Sequence, residues 1–395
     1  MNDRLDELLA AKEIVVCCGS GGVGKTSVAA SIALGAARQR DMKVLVLTVD
    51  PAKRLATALG LEALGNREVE VLPDVLAEAG VRLGGRLYAA MLDTKQSWDE
   101  LVMRHAPDEA TAMRILTNRL YHNLTARFVQ SHDYIAMERL FELHASGVYD
   151  LIVVDTPPTR NAVDFLDAPQ RMADFFGGRL LRWLTLPYRV GGGRGARMVN
   201  VASKPFYQVA DRLLGSKFLE EIAEFFLSFQ SMYDGFVTRA RAVELLLRDR
   251  RTTFVVVSTL ESAPLREAEA FCAELRKRSF SLGALVLNRG LPGYFLDPEV
   301  RSLAAQLQRD APKLAKAHAT QWGHDAASIE RVLTTVTTSF ERFGAVAQHE
   351  AALQKELVDP PAVMVTVPNR PADIADASGL AWIAAHLFAE SKVST

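Results

Sequence analysis

The sequence of 395 residues predicts an α/β fold: an open, mostly parallel sheet with a helical subdomain formed by insertions. Short apolar runs recur between helical patterns and indicate strands. These runs cover residues 13–18, 43–49, 86–92, 149–154, 253–259, 283–288 and 362–367. Most of them are uniformly apolar, as expected when helices cover both faces of a parallel sheet. Strands alternating with helices indicate right-handed crossovers within one sheet.

Two segments between the apolar runs, residues 95–147 and 164–250, are too long for simple crossovers between strands. Both segments carry helical patterns, so they predict the helical subdomain. A third excursion, residues 291–360, holds further helices before the last strand. The predicted sheet domain comprises residues 1–94, 148–163 and 251–395, and the predicted helical subdomain comprises residues 95–147 and 164–250.

Composition excludes several classes of function. A net charge of −1 and a pI of about 6.7 argue against binding to nucleic acid. No apolar run approaches the roughly 18 residues of a membrane span, and the N-terminus lacks the layout of a signal peptide. The three cysteines, Cys17, Cys18 and Cys272, form no Cys-x-x-Cys pair, so no zinc is expected. We expect a cytoplasmic protein.

A glycine-rich stretch between the first predicted strand and the next helix fits the pattern G-x-x-x-x-G-K-[ST]. It consists of Gly19, Ser20, Gly21, Gly22, Val23, Gly24, Lys25 and Thr26, followed by Ser27. Glycines let several backbone N–H groups turn toward one anion, and the helix N-terminus adds partial positive charge. Lys25 is expected to reach the β- and γ-phosphates, and the Thr26 hydroxyl to ligate Mg²⁺. The strand–loop–helix context therefore predicts a nucleoside triphosphate site on a P-loop NTPase sheet.

Four further residues close predicted strands at the edge where the glycine loop lies. Asp50 follows the second strand and could position or deprotonate an attacking water, although Asp-Pro is also ordinary turn chemistry. Asp155 follows four apolar residues and is expected to hold Mg²⁺ through a water. Asn288 could read adenine, and Pro368 could pack against the base, with ordinary loop chemistry as the alternative for both.

Together these motifs resemble the soluble ATPases of arsenite pumps and of tail-anchored membrane-protein targeting, and most closely a bacterial branch of ArsA-like or anion-transporting ATPases. The motifs that carry the resemblance are residues 19–26, 49–52, 154–159 and 286–288. The resemblance implies an ATP-binding domain, a helical subdomain and a dimer with nucleotides near its interface. It also implies that Asp50 positions water in the first switch, that Asp155 belongs to the second switch, and that Asn288 recognises adenine.

Two departures from that family pattern affect the expected activity. Ser20 stands where the family usually has a lysine that reaches the partner's phosphates. A paralogous ATPase in a heterodimer could supply that lysine, Lys53, Arg54 or Arg160 could replace it, or this chain could hydrolyse ATP weakly. The second departure is the lack of a cysteine cluster, which would be needed for a zinc clamp or for arsenite, so neither is expected.

The predicted helical subdomain contains a long helix from about 216 to 248 with one broad apolar face, and an apolar segment at 175–184 upstream. The apolar face consists of Phe218, Ile222, Phe225, Phe226, Phe229, Tyr233 and Phe236. These residues either form helical core or line a groove for an apolar helix of a protein client.

The leading expectation is a homodimeric or heterodimeric Mg²⁺-dependent ATPase that couples nucleotide state to rearrangement of the helical subdomain and to binding of a partner. The alternatives are a weakly or non-hydrolysing ATP-binding subunit, a metal-oxyanion pump ATPase, a partitioning-type regulator and, least expected, a small-molecule kinase.

Overall fold

The computed structural model describes residues 5–39, 41–49, 54–122, 129–157, 166–168, 170, 171, 174, 216–370, 372–374 and 376–388. Asp50, Lys53, Arg160 and the apolar segment 175–184 lie outside these ranges, and so does the side chain of Arg54. The predictions made for them therefore stay predictions.

One sheet of eight strands forms the centre of the described structure, in the order β3-β4-β2-β5-β1-β6-β7-β8. The strands are β1 Ile14–Cys18, β2 Lys43–Thr48, β3 Val69–Glu70, β4 Arg86–Met91, β5 Leu151–Asp155, β6 Thr252–Thr259, β7 Leu282–Gly290 and β8 Val363–Pro368. All neighbouring pairs are parallel except β3 and β4, which are antiparallel. The predicted fold class and all seven predicted strands are confirmed. The additional strand, β3, has two residues and leaves no periodic signal in the sequence.

Helices connect the strands and cover both faces of the sheet. The helices whose bounds the structure describes are α1 Leu5–Leu9, α2 Lys25–Gln39, α3 Arg54–Ala58, α4 Pro73–Glu78, α5 Thr94–His105, α6 Glu109–Thr117, α7 Val129–Ala145, α8 Ser216–Arg248, α9 Ser262–Lys277, α10 Pro298–Trp322, α11 Ala326–Glu356 and α12 Ala377–Leu387. The long helix predicted near 216–248 is thus present as α8. Among the described residues, none of the helices combines the length and the apolar character of a bilayer span.

Alternate side chains of the central strand β1 enter two separate hydrophobic cores. Val15 and Cys17 pack in the core that contains residues of α2 and α12. Val16 and Cys18 pack in the core that contains residues of α5, α7, α8 and α9. Because both faces are buried, both sets of alternating side chains are apolar, which explains the uniform apolar runs in the sequence.

Aromatic side chains join the helices of the predicted helical subdomain to one face of the sheet. Trp98 of α5, Tyr134 of α7 and Phe236 of α8 lie with ring centroids 5.8–6.2 Å apart. Phe225 and Phe229 of α8 are also buried, at 1% and 3% exposure. The apolar face of α8 is therefore helical core where its side chains are described. Since this core continues onto the sheet, the division into sheet domain and helical subdomain stays a prediction.

The segment 291–360, which was predicted to hold further helices before the last strand, forms the helical pair α10 and α11 between β7 and β8. The left-handed Gly323 (φ +68°) ends α10, and the Asp325 carboxylate caps α11 by accepting from the Ser328 N–H. At its base, the Leu291 N–H donates to Glu350 Oε2 at 2.8 Å. This bond holds α11 against the chain that leaves β7.

Candidate functional site

The glycine loop between β1 and α2 has a backbone that only glycine accommodates. Gly19, Gly22 and Gly24 have φ values of +152°, +81° and +93°. A Cβ atom at Gly19 would overlap the carbonyl oxygen of Val257, and one at Gly24 would overlap the side-chain amide of Asn288. Positive φ and close approach therefore both require glycine in the loop. This geometry is the one that a phosphate-binding loop needs, because it leaves room for backbone N–H groups to surround an anion.

Lys25 opens α2 directly behind the loop. Its side chain is buried at 6% exposure, and Nζ donates to the Ser20 carbonyl oxygen at 2.8 Å. The Ser20 hydroxyl is buried and has no hydrogen-bond partner among the described residues. The loop thus holds the ammonium group next to its own backbone.

Asp155 ends β5 at the same edge of the sheet. Its neighbours across the two parallel ladders are Cys17 of β1 and Thr48 of β2. The carboxylate is fully buried and accepts a hydrogen bond from Thr48 Oγ1 at 2.8 Å. Next in the chain, Thr156 Oγ1 donates to the Cys17 carbonyl at 2.8 Å. Three strand ends are therefore tied together around one carboxylate.

Thr26 and Asp155 are of the residue types that could hold a magnesium ion. Mg²⁺ takes oxygen ligands and usually keeps several waters, with one or two carboxylates nearby. Thr26 lines the cleft beside the loop. The Asp155 carboxylate is buried at the same sheet edge and accepts a hydrogen bond from Thr48. Among the described residues, no cluster of three or more His, Cys, Asp or Glu side chains offers an alternative metal site.

Asn288 near the end of β7 braces the glycine loop from the side. It is 4% exposed, its Nδ2 donates to the Val23 carbonyl at 2.8 Å, and its Oδ1 accepts from the Arg289 N–H at 3.0 Å. An amide group can donate two hydrogen bonds and accept two. One donor and one acceptor site therefore remain for a ligand. Sequence reasoning missed the bracing contact, for which a strand-end asparagine is the only local signal.

A cleft of about 920 Å³ runs from the glycine loop across the ends of β7 and β8 to α12. Of the predicted site residues, its walls contain Gly22, Gly24, Lys25, Thr26, Ser27, Asn288 and Pro368. Gly19, Ser20, Gly21, Val23 and Asp155 belong to the loop or the sheet edge but do not line the cleft. The structure thus brings the predicted nucleotide residues to one place, with Asp50 outside the described part of the chain.

The far end of the cleft holds residues that sequence reasoning did not identify. Arg289, Asn369, Arg370 and Trp382 contribute to its walls. The Arg370 guanidinium lies 6.0 Å from the Trp382 ring centroid. The cleft therefore carries cationic side chains beyond Lys25, and no motif in the sequence identifies them because they come from separate elements.

The three cysteines are buried thiols. Burial raises the pKa of Cys18 to about 12 and that of Cys272 to about 11, and it raises the pKa of Cys17 well above its usual value. A raised pKa keeps each thiol protonated, and a buried protonated thiol packs as a small apolar side chain.

Comparison with known proteins agrees with this geometry. The chain is 25% identical over 281 residues to the ATPase ASNA1 homolog of Plasmodium berghei, a match that covers 69% of this chain and 61% of that protein. It is 28% identical over 278 residues to an uncharacterised Streptomyces coelicolor protein, with the same coverages. A putative ATPase of Mycobacterium tuberculosis is 21% identical over 315 residues, covering 77% and 72%.

The chain therefore spans about three fifths of the length of the first two relatives. The family model described as anion-transporting ATPase matches residues 12–318, which include the glycine loop, Asp155 and Asn288. By its loop, its sheet and this match over most of its length, the chain belongs to the ArsA family of anion-transporting ATPases.

Proposed function

We propose that this protein is a Mg²⁺-dependent ATPase that works as a dimeric switch, coupling its nucleotide state to rearrangement of the helical part and to binding of a protein partner. The observation that carries the proposal is the cleft in which the glycine loop, Lys25 and Thr26 lie at the sheet edge that also holds Asp155.

The chemistry would be in-line attack of water on the γ-phosphate. On binding, Lys25 Nζ would leave the Ser20 carbonyl and contact the β- and γ-phosphates, joined by the N–H groups of the loop. Thr26 would ligate Mg²⁺ directly and Asp155 through a water, and the ion would neutralise charge that develops on the phosphate oxygens. Asp50 would orient the attacking water.

The base would lie toward the ends of β7 and β8. Adenine offers N6 as a donor and N7 as an acceptor, a pattern that an amide can meet with two hydrogen bonds. Asn288 keeps one donor and one acceptor free after bracing the loop. Pro368, which lines the same cleft, would pack against the ring. These contacts would favour adenine over other bases.

Ser20 favours a second candidate, a weakly or non-hydrolysing ATP-binding subunit. A serine cannot supply the trans cation that the family's lysine would provide, and a cation of that kind is worth roughly 10³–10⁵ in rate in related phosphoryl-transfer enzymes. A paralogous partner carrying the lysine would restore the rate in a heterodimer, and Lys53, Arg54 or Arg160 would restore it within a homodimer.

A metal-oxyanion pump is disfavoured because Cys17 and Cys18 face opposite sides of the sheet, so the three buried cysteines do not converge on one site. A client groove on α8 has little support, since Phe225, Phe229 and Phe236 are packed in the core. The cytoplasmic location stays a prediction from the sequence.

The test measures ATP affinity and steady-state hydrolysis of the purified chain, together with Lys25→Ala and, as a matched control, the exposed Lys277→Ala. We expect the native chain and the control to bind ATP and to hydrolyse it with Mg²⁺, and Lys25→Ala to lose turnover by about 100-fold or more because phosphate charge is left unneutralised. Binding without turnover would favour the non-hydrolysing subunit. Absence of ATP binding in the native chain would refute both candidates.

A further inference from the structure

The end of β7 departs from regular strand geometry where it reaches the cleft. Leu287 of β7 pairs with Thr366 of β8. The next pair is Gly290 with Pro368, so β7 holds one extra residue between the two pairs. Within this bulge Arg289 has a left-handed backbone, with a φ of +60°. Residues other than glycine rarely adopt that conformation, and backbone outliers of this kind cluster at functional sites.

The bulge places two consecutive residues in the wall of the cleft. In a regular strand, neighbouring side chains point to opposite faces of the sheet. Asn288 and Arg289 nevertheless both line the cleft. Asn288 is buried at 4% exposure, whereas Arg289 is exposed. Bulges re-aim side chains beside binding sites in other proteins, and this one adds a cationic residue to the wall that Asn288 already forms.

Hydrogen bonds on both sides hold Arg289 in the bulge. Before it, the Asn288 side chain donates to the Val23 carbonyl of the glycine loop and accepts from the Arg289 N–H at 3.0 Å. After it, the Gly290 carbonyl accepts from the Asn369 N–H at 2.7 Å. The strained residue is therefore fixed between the glycine loop and the chain that leaves β8.

The helical pair provides a further anchor through α11. The Glu350 carboxylate accepts a hydrogen bond from the Leu291 N–H, and a bond of this kind is stronger than one between neutral groups. Four residues after Leu291, the Phe295 ring packs against Phe340 and Phe343 of the same helix, with centroids 5.1 and 5.6 Å away. The chain that leaves the bulge therefore lies along α11. This helix begins after residue 318, at which the family match ends.

We propose that Arg289 binds the nucleotide by stacking its guanidinium on the base, and that Glu350 positions Arg289 by fixing the chain at Leu291. This inference rests on the proposed binding of ATP in the cleft. In that arrangement Asn288 and Pro368 contact the base. Arg289 lies between them, because it follows Asn288 and precedes the residue of β7 that pairs with Pro368. The planar guanidinium group of arginine stacks on nucleobases in other proteins.

Replacing Arg289 by glycine separates nucleotide binding from folding. Glycine adopts a positive φ without steric cost, so the urea midpoint of Arg289→Gly should equal or exceed that of the native chain. Its affinity for adenylyl imidodiphosphate, a non-hydrolysable ATP analogue, should fall about tenfold in the presence of Mg²⁺, because one stacking contact is lost. The matched control is Ser279→Gly, at a φ of +62° just before the other end of β7. It should keep the native affinity.

Variants of Glu350 test the positioning role. Glu350→Ala removes the acceptor of the Leu291 N–H and should weaken binding of the analogue about fivefold, whereas Glu350→Gln keeps an acceptor oxygen and should bind within about twofold of the native chain. The matched control is Glu341→Ala, at an exposed glutamate of the same helix. Because Glu350 acts through Arg289, adding Glu350→Ala to Arg289→Gly should change the affinity by less than about twofold.

Inorganic tripolyphosphate, which lacks the base, distinguishes base stacking from a phosphate contact. Its affinity for the native chain and for Arg289→Gly should agree within about threefold. A native affinity of Arg289→Gly for the ATP analogue, an equal loss of affinity for tripolyphosphate, or an effect of Glu350→Ala that is the same with and without Arg289 would each overturn the inference. A native chain that binds neither ligand would refute the proposed function itself, and this inference with it.

Discussion

Replacing Gly24 by alanine tests the contact between the glycine loop and β7. A Cβ atom there would lie closer than 3.0 Å to Asn288 Nδ2, and Gly24 has a φ of +93°. The positive φ costs alanine about 1–2 kcal/mol. Displacing the Asn288 amide breaks its hydrogen bond to the Val23 carbonyl. The buried polar group that is left unpaired costs about 1–3 kcal/mol of unfolding free energy. We therefore expect Gly24→Ala to lower the free energy of unfolding by about 2–5 kcal/mol.

The same contact can be tested by a double-mutant cycle in which the second variant is Asn288→Ala. It removes two hydrogen bonds, to Val23 and from Arg289, and is expected to cost about 2–4 kcal/mol. The double variant loses the bond to Val23 only once. Its cost should therefore be smaller than the sum of the two single costs by about 1–3 kcal/mol. The assay is urea unfolding followed by circular dichroism without nucleotide, which keeps stability separate from ATP binding.

The matched control is Gly80→Ala. Gly80 has a φ of +73°, but a Cβ atom there would meet nothing within 4 Å. It should cost only the backbone strain of about 1–2 kcal/mol and should add to Asn288→Ala within about 0.5 kcal/mol. If Gly24→Ala and Asn288→Ala also add within about 0.5 kcal/mol, the loop is not braced by Asn288 and the reasoning is refuted.

Two further predictions concern the proposed magnesium site and the pH dependence of stability. Thr48→Val removes the O–H that orients Asp155, so the Mg²⁺ concentration for half-maximal hydrolysis should rise about tenfold or more; an unchanged Mg²⁺ requirement would contradict this. For His105, burial and then the cations Arg239 and Arg104 lower the pKa to about 4. The folded state therefore favours the neutral imidazole more than the unfolded state does. The contribution of His105 to the free energy of unfolding is fully present above the unfolded pKa of about 6.5 and is lost as the pH falls toward about 4. His105→Asn should therefore lose less unfolding free energy than the native chain between pH 7 and pH 4.5, and identical losses in urea titrations would count against it.

Local patterns in the sequence were sufficient for the strands and the long helix. Five of the seven predicted strands begin and end within one residue of the observed bounds. A sixth, β7 Leu282–Gly290, ends two residues later than predicted. The helix predicted near 216–248 is α8, Ser216–Arg248. Both results have the same cause, because apolar periodicity directly reports which faces of an element are buried.

Other features left no local signal. In the described sheet, β3 is an edge strand whose one neighbouring strand is β4. The contact of Asn288 with the glycine loop joins residues 265 positions apart. The apolar positions of α11 are readable in the sequence, but whether they form a core or a surface depends on where α10 packs.

The sequence by itself determined the fold class, the glycine loop and the type of ligand, because these depend on short spacings whose chemistry is the same in any context. Only the tertiary structure decided that Asn288 supports the loop, that Arg370 and Trp382 share the cleft with Lys25, and which side of α11 stays exposed. These features arise from contacts between distant segments, and the free energy of such contacts depends on packing that no single segment encodes.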